Sequence, residues 1–170
     1  MKEKISIENL KSDNQKIVLD TLKKIRKNGE IKHLRPMIDL LRSTKNNEIQ
    51  NRICHILYDI KEKAAREIII KEIKRPENKI ILKILVSSCW QSAIDYSNYF
   101  PVFADIIINE DFPVAFEAFT VIDEIHSISN QKDIMPVIEK IKKNLTNTPE
   151  DKKYLMSELI KILENKKTTG

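Results

Sequence analysis

The residues able to do chemistry are few and scattered. His33, His55 and His126 lie far apart, and none shares a metal-ligand spacing with a cysteine or a carboxylate. They read as surface or helix-end histidines rather than ligands. Cys54 and Cys89 are also distant from each other, each inside an apolar pattern. That placement fits small buried hydrophobes in a reducing compartment. A glycine-rich phosphate loop has no residues to build it, since Gly29 and Gly170 are the only glycines. No serine occupies a nucleophile elbow. The sequence predicts no catalytic residue, no metal site and no cofactor, and the reading is non-enzymatic.

Recognition chemistry is better represented. The stretch from Lys79 to Ile125 holds eight of the ten aromatic residues; only Tyr58 and Tyr154 lie outside it. Between Pro76 and Ile125 two lysines face eight acids, a net charge of −6. The chain before it is +8 and the chain after it +3. An acidic, aromatic centre between two basic arms is a candidate docking region. Within it, Trp90-Gln-Ser-Ala-Ile-Asp-Tyr-Ser97 combines a large aromatic, an acid, a tyrosine and hydroxyls. The candidate binding residues are Trp90, Asp95, Tyr96, Tyr99, Asp105 and Glu117, because exposed Trp and Tyr commonly anchor interfaces. Two further patterns mark the same region. Lys83, Ser87 and Gln91 recur every four residues, as a tight stacking face or a docking groove would. Glu117, Thr120 and Glu124 share one helix face, either solvated or an acidic strip for a basic peptide.

The elements that must position these residues are helices. With 170 residues the prior is one domain. Glycine is almost absent, as strands with tight turns would not allow. Residues 1–13 read as a leader, a short helix or a frayed end. Asp13 is placed to cap a helix over 14–27, which Asn28-Gly29 ends in a left-handed turn. Further helices are expected over 30–43, 48–61, 64–75 and 77–93, then from Ser97 to 109, and over 112–128, 130–144 and 150–165. Thr148 and Pro149 start the last of these. Residues 166–170 read as a loose tail. The first nine residues hold no apolar core of signal-peptide length. No run approaches the roughly 18 apolar residues of a membrane helix. The expectation is a cytoplasmic protein without membrane association.

The helices come in pairs with a shared period. Leu34-Arg-Pro36-Met-Ile-Asp-Leu-Leu41, Tyr99-Phe-Pro101-Val-Phe-Ala-Asp-Ile106 and Ile134-Met-Pro136-Val-Ile-Glu-Lys-Ile141 repeat one pattern around a proline. Ile68 fits the same slot in the pair that lacks proline. A first-turn proline loses little, because that N–H has no intrahelical partner. A period near 33 residues built from two helices is the mark of a helical solenoid. On these residues, the chain over 14–165 resembles the HEAT-repeat family, in its compact form. The resemblance implies an all-α, right-handed solenoid of about four and a half helix pairs in a single domain. Tetratricopeptide repeats share the period, but their Trp, Gly, Tyr and Ala positions are missing.

The resemblance also implies that second helices line a concave face. That face would carry Lys32, Arg35, Asp39 and Arg42, then Glu67, Lys71 and Lys74, then Asp105 and Asn109, then Lys132, Glu139 and Lys143. The function it implies is a scaffold binding a protein or peptide, for which a basic partner suits the acidic centre. Nucleic acid ranks second: the pI near 9.1 permits it, but the aromatic region is acidic where phosphate would sit. A structural subunit of a larger assembly is the third reading.

Overall fold

The computed structural model describes residues 5–92, 94–128 and 130–168, with side chains as far as Lys166. The described residues are all-helical, with no strand. The longer helices are α1 (Gln15–Asn28), α2 (Leu34–Ser43), α3 (Asn47–Tyr58), α4 (Ala65–Ile73), α5 (Leu82–Gln91), α6 (Phe100–Asn109), α7 (Phe112–Asp123), α8 (Ile134–Asn144) and α9 (Glu150–Thr168). A short 3-10 turn, Ile7–Lys11, precedes them. The first and last stretches of the expected leader and tail, 1–4 and 169–170, lie outside the described residues, as does Ala93, the expected end of the fifth helix.

The chain divides into two compact units, Met1–Ile94 and Asp95–Gly170. In the first, α1 packs on α3 and α3 on α5, while α2 packs on α4. Contacts of α2 with α3 and of α4 with α5 join the two rows. Each stripe of isoleucine and leucine thus has a neighbour, and Leu22, Ile38, Ile53, Leu57, Ile69 and Leu85 are fully buried. In the second unit α7 packs on α9 and α6 on α8, with α6 against α7 and α8 against α9. Its core is built on Phe100, Phe103, Ile107 and Ile122.

Local chemistry sets the helix ends. Asn14, not the expected Asp13, caps α1: its Oδ1 accepts the Lys16 N–H at 3.0 Å. Asn46 caps α3 by accepting the N–H groups of Glu48 and Ile49. Gly29 follows α1 with φ −62°, so it is not in the expected left-handed conformation. Its role is close approach instead. A Cβ there would lie 2.4 Å from the Ile25 carbonyl oxygen, whose bond the Gly29 N–H donates at 2.7 Å. Thr148, expected as a cap for α9, donates its hydroxyl to the Asn144 carbonyl. Pro149 precedes that helix, and its carbonyl accepts the Lys153 N–H.

Helix α7 stops at Asp123, five residues before the expected end. The Lys166 ammonium of α9 donates to the carbonyls of Asp123 and Ile125 at that terminus. At the other end of α9, buried Lys152 donates to the carbonyls of Ile108 (2.8 Å) and Glu110 (2.7 Å), just where α6 ends. Helix C-termini expose carbonyls with partial negative charge, which a cation satisfies. Fourteen residues of helix span about 21 Å. One helix therefore closes the C-termini of two others, and α9 runs alongside α7 in the same direction.

Candidate functional site

The six expected binding residues fall in both units. Trp90 sits on α5 of the first and is 38% exposed. The other five belong to the second. Tyr96, a candidate anchor, is a core residue, 2% exposed and edge-on to Phe103 with ring centroids 6.0 Å apart. Such a contact suits two rings of a packed interior. Asp95 is exposed, but its carboxylate serves the chain locally, accepting the Ser97 N–H at 2.8 Å and the Ser97 hydroxyl at 3.0 Å. Tyr99 is half-buried. Asp105 is held by Lys140 of α8 at 2.6 Å. Glu117 lies half-buried on α7. No single patch gathers the five within the second unit.

The small-residue face of α5 is used inside the first unit. Ser87 is buried and its hydroxyl lies 3.4 Å from the Tyr58 hydroxyl of α3. Tyr58 in turn neighbours the Cys54 thiol, and burial pushes both groups above their ordinary pKa values. A thiol held in its neutral form is a poor nucleophile. Of the Lys83, Ser87 and Gln91 row, Ser87 stacks inside the unit, whereas Lys83 and Gln91 are exposed.

One charge of α4, Glu72, turns inward and gathers a network around it. Asn78 is completely buried. Its Nδ2 donates to the Glu72 carbonyl and carboxylate, both at 2.8 Å, and its Oδ1 accepts from Arg42 at 2.8 Å. Buried Glu72 also receives Arg75 at 3.1 Å and faces Arg35 at 3.5 Å. Arg42 bonds Asp39, and Arg75 bonds Glu77. Arginines and carboxylates close the ring, so the network joins α2, α4 and the turn Pro76–Ile81 with its charges compensated. Of these residues, the sequence singled out only Arg35, Asp39 and Arg42, on the concave face that the resemblance implies. His33, expected at a surface or a helix end, is at a helix end but 2% exposed, with Nδ1 accepting the Glu30 N–H at 2.9 Å.

In the second unit Met135 and Tyr154 are exposed, and so is the outward side of α7, the helix on which the sequence marked Glu117, Thr120 and Glu124. Phe112 is 38% and Phe116 50% exposed, one turn apart, with ring centroids at 6.1 Å. Asp111 and Asp123 flank them, exposed, and Glu124 follows. The Thr120 hydroxyl folds back onto the Phe116 carbonyl at 3.0 Å. The cause is complementarity of size. α6 fills the interior with Phe100 and Phe103, so α7 offers Ala115 and Ala118 to it, both fully buried. Phe112 and Phe116 stand to one side of that alanine edge and reach the surface, while Phe119 is half-buried. The legible signal was this pairing of alanines at i, i+3 with phenylalanines at i, i+4. From Asp95 to Gln131 there are seven carboxylates and no lysine or arginine.

Among the described residues no three His, Cys, Asp or Glu side chains form a group able to hold a metal ion, and no helix is long and apolar enough to cross a membrane. Compared with known proteins, the chain matches no family model and no curated protein.

Proposed function

We propose that this protein is a HEAT-like helical-repeat scaffold that binds a protein or peptide through an acidic, aromatic face, and that the face is the outward side of α7. The observation that carries the reading is the exposed Phe112–Phe116 pair set among carboxylates. Two adjacent aromatic rings at a surface are large apolar anchors. Carboxylates around them favour a lysine- or arginine-bearing segment and repel phosphate. The repeat reading is supported by the row-on-row packing of α1, α3 and α5, and of α2 and α4, in sequence order. Of the six residues expected from sequence, Glu117 belongs to this face, Trp90 offers a separate exposed ring, and Tyr96 serves packing.

The nucleic-acid alternative is weaker on this geometry. Arginines of the first unit are spent on carboxylates: Arg26 on Asp59 at 2.6 Å, Arg42 on Asp39, Arg75 on Glu72 and Glu77. A phosphate site would need such cations turned outward together.

The test is affinity capture with crosslinking, comparing wild type with Phe112→Ser plus Phe116→Ser. Partners lost in the double variant, and recovered poorly in high salt, are the expected result. An identical set of captured proteins from both would overturn the reading. Trp90→Ala in the same experiment is expected to retain most of the set.

A further inference from the structure

The two units carry opposite charge. Residues 1–94 hold 21 basic and 12 acidic residues, net +9; residues 95–170 hold 9 and 13, net −4. The first unit also bears the most exposed large apolar residue described, Ile80, at 81%. It stands on the turn Pro76–Ile81 between exposed Lys79 and Lys83. The arrangement mirrors the α7 face: an aliphatic knob between cations on one unit, an aromatic pair between carboxylates on the other.

We infer that a second copy of this chain is an occupant of the α7 face, its Ile80 seated on Phe112 and Phe116 while Lys79 and Lys83 meet Asp111 and Glu117. The inference rests on the reading of α7 as a docking face. The contact is heterologous, because the knob and the seat are different surfaces. A heterologous contact leaves one free knob and one free seat on every pair, so copies add head to tail rather than closing as a dimer. The buried area is small, so association is weak and depends on concentration. Exposed charges are screened beyond about 10 Å at ~100 mM salt, so association also weakens as salt rises.

The test is sedimentation velocity and light scattering on the full chain, from micromolar to submillimolar protein, at ~20 mM and ~500 mM salt. The expected result is a mass that climbs with concentration at low salt, passes the dimer without a plateau, and falls toward the monomer at high salt. Ile80→Glu and Phe116→Glu are each expected to weaken association at least ~10-fold, a loss of one anchor. Mixed one to one, they supply one intact seat and one intact knob, and the mixture is expected to stop at a dimer. Circular dichroism checks that both variants stay folded, as substitution of exposed side chains should allow.

A monomer at every concentration and salt, a wild-type plateau at the dimer, unchanged growth of Ile80→Glu, or a mixture that stays monomeric would each overturn the inference. The outcomes separate it from the partner reading. Ile80→Glu leaves α7 intact and is expected to capture the same partners as wild type, whereas loss of capture on Phe112→Ser plus Phe116→Ser, without any self-association, would leave only the partner reading standing.

Discussion

The two units solve the same packing problem with different side chains. The first has 18 isoleucines and two aromatics; the second has 11 isoleucines and the other eight aromatics. Isoleucine stripes of similar size stack row on row, and the first unit closes its charged seam with a buried network around Asn78 and Glu72. Phenylalanines are larger, so the second unit alternates them with alanine, and what does not fit inside faces out. Its polar closure is different too: two lysines of α9 take up the carbonyls at the ends of α6 and α7. The difference teaches where a binding surface arises. In the second unit two adjacent rings of α7 reach the surface beside buried alanines, whereas the first unit exposes Ile17, Ile80 and Trp90.

The contrast can be broken most forcefully at Asn78. Asn78→Ala leaves Glu72 and Arg42 short of partners in a buried site, and is expected to cost about 3 kcal/mol. Hydrogen exchange should show the loss throughout the first unit and leave the second protected; equal loss in both would dissolve the comparison. Lys152→Met is the matching change in the second unit. It keeps the apolar stem but leaves the Ile108 and Glu110 carbonyls without their donor, for about 2 kcal/mol. Faster exchange at the end of α6 would locate the effect, and an unchanged urea midpoint would refute the role assigned to the lysine.

Gly29→Ala is next. The added methyl meets the Ile25 carbonyl, and relief by backbone shift is expected to cost about 1–2 kcal/mol, read as a lowered urea midpoint. Alkaline pH sharpens the contrast with a smaller effect. Burial raises the Cys54 thiol and Tyr58 phenol above 9.0 and 10.0, so the unfolded chain ionises them first. The folded state then holds more protons, and the first unit loses stability as pH rises through that range. Burial lowers Lys152 below 10.5, so the unfolded chain keeps that proton longer and its contribution moves the other way, rising with pH. Trp90 is the only tryptophan and lies in the first unit. Its urea midpoint should fall between pH ~8 and ~10 by more than the midpoint from circular dichroism. Smallest in stability is Phe116→Ser, an exposed change expected to stay within about 0.5 kcal/mol while removing the partner anchor.

Helix content was legible because it follows from short-range rules; which consecutive helices pack was not, since the strong neighbours are α2 with α3, α4 with α5, α6 with α7 and α8 with α9 rather than the expected pairs. Apolar spacing, near-absence of glycine and the prolines at 36, 101 and 136 place second helices within a few residues of where they lie. The early stop of α7 was not legible locally; the carbonyls it leaves are taken up by Lys166, some forty residues later. Tyr96 and Phe116 show the same limit for the site. Tyr96 lies between two helices and Phe116 within one, and nothing local says that the first is covered by Phe103 while the second reaches the surface. Gly29 reads locally as a left-handed stop, yet its need is set by the distance to Ile25.

The amino-acid order by itself determined that this chain is helical and that its centre is acidic and aromatic, since each depends on neighbours within a turn or on composition. Which charges are spent inside, which helix ends are closed by distant lysines and which rings reach the surface were decided only by tertiary packing. Burial depends on what lies across the interface, and the residues across it are set by the fold as a whole.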